Sequence, residues 1–163
     1  MRIALFGLQY FEQYKADYQL IIDKLELSNC EIWFNDLLYK KTKSKIKFNT
    51  KPQTYTSLND FDVLPDVMLS LGGDGTILDS VTIVRDSNIP ILGINMGRLG
   101  FLSSVSHLDI TVAIDAILAG NYTIDKRTLL LLKTSSNLFG ELNFALNELT
   151  IQKKDHLSMI VVH

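Results

Sequence analysis

The stretch LSLGGDGTILD, residues 69–79, indicates the fold of this chain. It passes from an apolar run into a helical pattern, and at the junction three glycines surround Asp74. Glycine permits positive φ angles and lets a ligand come close to the backbone, while the amino end of a helix attracts phosphate. In open α/β sheets, ligands bind beyond the carboxyl ends of the strands. The stretch therefore predicts an α/β sheet with a phosphate-binding turn after one of its strands.

Strands and helices alternate along the chain on both sides of this turn. Short apolar runs predict four strands, at residues 3–7, 30–34, 67–71 and 91–94. Apolar residues at helical spacing predict three helices, over residues 11–27, 76–87 and 108–119. Ser106 and Gly120 are predicted to cap the third helix. This alternation predicts an α/β fold with a doubly wound, mostly parallel, Rossmann-like sheet.

The pattern changes after Gly120, where strand-like stretches replace helices. They cover residues 122–135, 141–152 and 157–163, with turn-like segments between them. The sequence thus predicts an α/β nucleotide-binding domain over 1–121 and the start of an all-β domain over 122–163. Three strands ending on an apolar run leave an unpaired hydrophobic edge. We therefore expect a truncated chain, and the alternative is that another subunit completes the sheet.

Composition excludes several classes of protein. The 163 residues are 47% hydrophobic and 21% charged, as in ordinary soluble proteins, and the net charge of -2 predicts neither a nucleic-acid nor a membrane partner. The single cysteine, Cys30, forms no internal disulfide and fits a reducing cytosol. No apolar run approaches the roughly 18 residues of a membrane span, and the three histidines lack metal-ligand spacing, so no protein-held metal is predicted. We expect a cytoplasmic enzyme or part of one.

One segment has a biased composition. Residues 40–51, KKTKSKIKFNTK, contain six lysines. A solvated loop is the first interpretation of such a charge run. The alternative is a flexible basic flap that attracts nucleotide phosphates.

Asp74 distinguishes the glycine-rich turn from common phosphate loops. No Gly-Lys-Ser/Thr follows it, and its spacing differs from Gly-x-Gly-x-x-Gly. A carboxylate beside phosphates repels them unless it meets a hydroxyl to be deprotonated or a Mg²⁺ that offsets the charge. The alternative is a structural helix cap in a tight turn. Spacing alone leaves both interpretations open.

The Gly-Gly-Asp-Gly-Thr motif after an apolar strand resembles the signature of NAD kinases, which diacylglycerol-type lipid kinases share. Two later stretches favour the first family: GINMGRLGFLSSV at 93–105 resembles the Gly-x-Asn-x-Gly-x-Leu-Gly-Phe-Leu segment of NAD kinases, and ALNELTI at 145–151 resembles their Asn-Glu motif. Two alternatives stay open. One is a lipid or other kinase of the same superfamily, and the other is a non-catalytic nucleotide-binding or oligomerisation module that pairs through its β edge.

The resemblance implies an activity with defined partners. A NAD kinase transfers the terminal phosphoryl group of ATP, with Mg²⁺ or another divalent cation, to the adenosine ribose 2′-hydroxyl of NAD and makes NADP. NAD would be held between the two domains, and the protein would be a homo-oligomer assembled through its β-rich domain. Family members continue with a further acidic position and a Thr-Gly-Ser-Thr-Ala-Tyr-like stretch. Neither precedes His163, so we expect the isolated chain to be weakly active or inactive.

The resemblance also implies roles for the residues that match its motifs. Asp74 would be the general base that takes the proton from the 2′-hydroxyl. Phe101 would pack near the adenine, and Asn147 with Glu148 would hydrogen-bond the base and the ribose hydroxyls. By strand alternation, one of these last two should face inward and need a partner. The full set of implied nucleotide-binding residues is Gly72, Gly73, Asp74, Gly75, Thr76, Phe101, Asn147 and Glu148.

Overall fold

The computed structural model describes residues 1–97, 100–103 and 105–150. The chain divides into two compact units, Met1–Ile124 and Asp125–His163. In the described part of the chain, no helix is both long enough and apolar enough to cross a membrane.

The first unit is built on a parallel sheet of six strands in its described residues. The strands are β1 (Arg2–Phe6), β2 (Glu31–Asn35), β3 (Gln53–Tyr55), β4 (Val67–Leu71), β5 (Ile91–Asn95) and β6 (Val105–Ser106). Their order is β3-β2-β1-β4-β5-β6. The direction of winding therefore reverses between β1 and β4, and the carboxyl ends of these strands form the crevice where such sheets bind ligands.

Helices cover both faces of the sheet. They are α1 (Lys15–Leu27), α2 (Asp36–Thr42), α3 (Asp74–Val84) and α4 (Ile110–Leu118). The apolar faces of α1, α2 and α4 pack in one core with Ile3 and Leu5 of β1. The second core joins α3 to Ala4 and Phe6, which point to the opposite face. Strands buried on both faces read as continuous apolar runs, and the predicted doubly wound α/β fold is confirmed.

The structure adds elements within and beside the lysine-rich segment. Residues 40–42 complete α2, and β3 follows the segment. All six lysines are exposed, so the predicted solvation is correct but the predicted loop is partly helix. In α3, Leu78 is exposed although it belongs to the apolar pattern that predicts this helix, whereas the polar Ser80 is buried. The Ser80 hydroxyl donates to the Ile77 carbonyl at 2.7 Å, which satisfies it inside the helix.

The predicted ends of the last helix are observed, although its first turn is a 3-10 turn at His107–Asp109. The Ser106 hydroxyl accepts from the Leu108 amide at 3.2 Å. Gly120 adopts a φ of 67° just after α4, the left-handed conformation that favours glycine at this position.

The second unit contains a two-stranded antiparallel sheet, in which β7 (Leu130–Leu131) pairs with β8 (Phe144–Ala145). These strands are much shorter than the predicted stretches 122–135 and 141–152, because only two residues of each pair with the other. The predicted strand over 157–163 lies outside the described residues.

Candidate active site

The turn between β4 and α3 follows the buried strand at its carboxyl end. The Gly72 amide donates to the Ile94 carbonyl at 3.0 Å, which ties this turn to the end of β5. A Cβ atom at Gly72 would lie 2.2 Å from the Thr76 hydroxyl oxygen. Glycine is therefore required here because the half-buried Thr76 side chain packs over it.

Gly73 and Gly75 meet a different environment from Gly72. Both are exposed, and a Cβ at either one would have no atom within 4 Å. Among the described glycines, positive φ occurs at Gly120 and Gly140 but not at Gly73 or Gly75. The turn therefore does not use the positive φ that glycine permits, and the open space beside Gly73 and Gly75 is what permits close approach of a ligand.

The Asp74 carboxylate is bonded to a second loop, the one that follows β5. Its Oδ2 accepts the Phe101 amide at 2.7 Å, and its Oδ1 accepts the amides of Leu102 and Ser103, each at 3.0 Å. The Ser103 hydroxyl donates to the same Oδ1 at 3.2 Å. Asp74 is the first residue of α3, but these bonds lead away from its own helix. A helix cap, the structural alternative for Asp74, would instead accept an amide of its own helix.

Three residues that sequence reasoning did not single out support this carboxylate, two by direct contact and the third through Ser103. A Cβ at Gly100 would lie 2.1 Å from Asp74 Oδ1, so only glycine fits against it. Ser103 is buried, and the buried Asn95 donates from Nδ2 to its hydroxyl oxygen at 2.8 Å. All three lie in the stretch 93–105 that carries the second motif. A glycine and two polar residues within this motif were the sequence signal that could have identified them.

The hydrogen bonds keep Asp74 ionised. The Ser103 and Phe101 amides make the largest contributions that lower the pKa of this carboxyl below its ordinary value. Partial desolvation opposes them, and the Leu102 amide and Ser103 hydroxyl lower the pKa further. At neutral pH the site therefore presents a fixed carboxylate, which is chemically able to accept a proton from a hydroxyl group.

Phe101 lies on the same loop and has a fully exposed side chain. Its amide holds the Asp74 carboxylate while its ring lies in solvent. A fully exposed aromatic ring beside an ordered carboxylate is an unusual arrangement, since large apolar side chains are usually buried. The ring is available to pack against a ligand.

Asn147 and Glu148 belong to the second unit, where they follow β8. Both are exposed and lie outside the strand. The expectation that one of them faces inward is wrong, because strand pairing ends at Ala145 and the alternation ends with it. Because both side chains are exposed, neither needs a hydrogen-bond partner within the protein.

A shallow groove lies next to the end of β1. Its lining is Gln9, Tyr10, Lys40, Lys41, Ser44 and Lys45. The lysines have local partners: Lys40 pairs with Asp36 at 2.5 Å, Lys45 pairs with Glu12 at 3.2 Å, and Lys41 donates to the Leu8 carbonyl. The alternative of a phosphate-attracting flap therefore stays a prediction, and three of its lysines are engaged in these local bonds.

Comparisons with known proteins agree with the three motifs. Residues 19–122 match the family model of the ATP-NAD kinase N-terminal domain. The NAD kinases of Flavobacterium johnsoniae and Flavobacterium psychrophilum are 39% and 38% identical to this chain over 99% of its length and 56% of theirs. The NAD kinase of Cytophaga hutchinsonii is 47% identical over 68% of this chain and 37% of its own length. The chain thus spans about half the length of these curated relatives or less.

A solved structure supports the fold independently. The crystal structure of yeast NADH kinase complexed with NADH superimposes with a TM-score of 0.66 at 18% identity, covering 79% of this chain and 41% of that one. The family model matches well over half of the chain, and its range contains the glycine-rich turn and the loop that holds Asp74. On these grounds the chain belongs to the NAD kinase family.

Proposed function

We propose that this protein is a NAD kinase, which transfers the terminal phosphoryl group of ATP to the 2′-hydroxyl of the adenosine ribose of NAD. The observation that carries the proposal is the ionised Asp74 carboxylate, ordered by hydrogen bonds at the edge of an open glycine turn. Membership of the NAD kinase family supports this acceptor over the lipid substrates of related kinases.

In this reaction Asp74 is the general base. The ribose oxygen bonds to the terminal phosphorus of ATP, the bond from that phosphorus to the ADP oxygen breaks, and the hydroxyl proton passes to Asp74. Hydroxyl groups are weak nucleophiles at pH 7, and a positioned base typically contributes about 10²–10⁴-fold to the rate. The remaining requirement of phosphoryl transfer is positioning and charge neutralisation.

The glycine turn provides the phosphate path. Gly73 and Gly75 leave room for phosphates next to the amino end of α3, whose partial positive charge favours anions. In the described residues, no group of three or more His, Cys, Asp or Glu side chains is placed to hold a metal ion. Mg²⁺ often binds substrate phosphates with few protein ligands, so we assign it to the substrate as the MgATP complex.

NAD is recognised by residues of both predicted domains. Phe101 packs against the adenine, which its solvent-exposed ring suits. Asn147 and Glu148 hydrogen-bond the adenine and the ribose hydroxyls, for which two exposed polar side chains are suited. The α/β domain, 1–121, thus supplies the catalytic turn, and the β-rich domain, from 122 onward, supplies polar contacts to NAD.

The same proposal includes cytoplasmic location and homo-oligomerisation. The one cysteine, Cys30, is free, in keeping with a reducing compartment. The second unit exposes large apolar side chains, which favour association through the β-rich domain; they include Leu130, Leu131, Leu138, Phe139 and Leu142. Sedimentation velocity of the full natural reading frame tests the assembly, and a monomer at micromolar concentration contradicts it.

The decisive experiment measures NADP formation from NAD and ATP with Mg²⁺, using the full natural reading frame that contains this chain. Asp74→Asn should reduce kcat by about 10²-fold or more, because the amide cannot accept the proton. Asp86→Asn is the matched control, since Asp86 is an exposed carboxylate just after α3. NAD binding is measured alongside, because an amide at position 74 also changes the bonds to residues 101–103.

Unchanged turnover by Asp74→Asn contradicts the base role. A folded wild-type protein that makes no NADP but phosphorylates diacylglycerol replaces the proposal with the lipid-kinase alternative. A protein that binds NAD and phosphorylates neither substrate favours the non-catalytic binding module.

A further inference from the structure

The two oxygens of the Asp74 carboxylate have unequal surroundings. Oδ1 accepts three hydrogen bonds, from the Leu102 amide and from the amide and hydroxyl of Ser103. Oδ2 accepts one, from the Phe101 amide at 2.7 Å. An ionised carboxylate offers about two lone pairs on each oxygen. Oδ1 is therefore fully used, while Oδ2 keeps acceptor capacity for a further proton donor.

Ser103 is itself held in a fixed orientation by Asn95. Asn95 Nδ2 donates to the Ser103 hydroxyl oxygen at 2.8 Å, and both side chains are buried. A serine hydroxyl has a single proton to donate. With the Asn95 amide donating to its oxygen, that proton is directed to Asp74 Oδ1 at 3.2 Å. The result is a chain of donation that runs from Asn95 through Ser103 to Asp74.

Close packing by Gly100 restricts rotation of the carboxylate. A Cβ atom on this residue would lie between 2.1 and 2.6 Å from all three atoms of the Asp74 carboxyl group. The backbone of Gly100 thus lies directly against the carboxylate. A rotation that exchanges Oδ1 and Oδ2 would break the four hydrogen bonds to the carboxylate. It would also have to move the carboxylate past the backbone of Gly100.

We propose that Ser103, oriented by Asn95, is a positioning residue that holds Oδ1 and thereby makes Oδ2 the oxygen that takes the proton from the sugar hydroxyl. The inference rests on the proposed kinase function and goes beyond it by assigning the reacting atom and the residues that set it. Productive geometry of this kind needs a catalytic group fixed to within about half an ångström, and a carboxylate on a short side chain gains that precision only from its hydrogen-bond partners.

The groups that act on the Asp74 carboxylate in the described residues are neutral. They are three backbone amides and one hydroxyl, and Asp79, the other carboxylate of α3, is not among the groups that shift its pKa. Removal of the Ser103 hydroxyl takes away a donor that stabilises the charged form. The pKa of Asp74 then rises toward its ordinary value, so activity is lost at a higher pH as the solution is acidified.

The test compares Ser103→Ala with Ser80→Ala. Ser80 is the matched control because it is a buried serine of α3 whose hydroxyl donates to its own helix at 2.7 Å. For Ser103→Ala we expect kcat to fall about tenfold, KM for NAD to change less than about twofold, and the acidic limb of the kcat profile to move to higher pH. Ser80→Ala should leave kcat, KM and the pH profile unchanged. Ser103→Thr, which keeps the hydroxyl, should stay close to the wild type in all three.

A second measurement is independent of catalysis. Carbon-13 NMR follows the titration of the Asp74 carboxyl group in the wild type and in Ser103→Ala. The pKa of this group should be higher in the variant. If the wild type makes no NADP, the proposed function fails, and this titration still decides whether Ser103 controls the carboxylate. If NADP is made and Ser103→Ala titrates and turns over like wild type, the kinase stands and the positioning role is overturned. Ser103→Cys, a weaker donor of similar shape, replaces the alanine variant if that variant unfolds.

Discussion

Two of the glycines around Asp74 are excluded from carrying a side chain by their neighbours, and two are not. Gly72 lies under the Thr76 side chain, and Gly100 lies against the Asp74 carboxylate. Gly73 and Gly75 face open space. Packing within the site therefore requires glycine in the first pair. In the second pair, the absence of a side chain leaves space for the phosphates of a bound nucleotide.

This division gives a prediction for the second loop. Gly100→Ala should displace the Asp74 carboxylate and lower kcat by about 10²-fold, the typical cost of misplacing a catalytic group by about 1 Å. Gly97→Ala, in the same loop, is the control, since its Cβ would meet only Asn95 Oδ1 at 3.7 Å. Steady-state NADP formation measures both, with circular dichroism to confirm the fold. Equal activity of the two variants contradicts the packing argument.

At the scale of the element, the sequence predicted those strands and helices whose apolar spacing is long and regular. Strand β4 matches its predicted bounds, and α1, α3 and α4 are found close to theirs. The seven-residue α2 was missed because its two turns are too short to show a helical period. Its signal was Asn35, whose side chain accepts the Leu37 amide at 3.1 Å as a helix cap. The three-residue β3 is too short to show alternation.

The bonds within the site could not be predicted in the same way. Asp74 and Phe101 were both singled out, but the contact between them joins residues 27 positions apart. It depends on the pairing of β4 with β5, in which Leu71 lies opposite Ile94, so that the loops after both strands emerge side by side. Sequence spacing indicates each loop separately, whereas the register of the two strands brings them together.

Helix α3 itself allows a test that separates stability from function. Gly75→Ala lies in the first turn of the helix with no atom near its Cβ. The alanine should raise the free energy of unfolding by about 0.4–1 kcal/mol, because it restricts the unfolded chain. It should also lower kcat/KM for ATP, because the methyl group occupies space that the phosphates need.

Urea unfolding and NADP formation measure the two effects of Gly75→Ala. A variant with higher stability and full activity would show that the phosphates do not pass beside this residue. Gly72→Ala is the contrasting variant, since its Cβ would clash with Thr76, and it should be destabilised.

At the scale of the whole molecule, the stability of the first unit depends on the packing of helices across one face of the sheet. Ile114 of α4 is buried in the core that includes Tyr18, Ile21 and Leu25 of α1. Ile114→Ala should therefore lower the free energy of unfolding by about 2–5 kcal/mol. Val112→Ala, on the exposed side of the same helix, should change it by about 0.5 kcal/mol or less. Urea denaturation of both variants measures the difference, and similar losses would contradict the assignment of the core.

The central position of β1 has a consequence for synthesis on the ribosome. Arg2–Phe6 pairs with Glu31–Asn35 on one side and with Val67–Leu71 on the other. At translation rates of about 5–20 residues per second, the second partner is made several seconds after β1. During that interval one edge of β1 has no partner strand, so the sheet cannot close around β1 before residue 71 has left the ribosome.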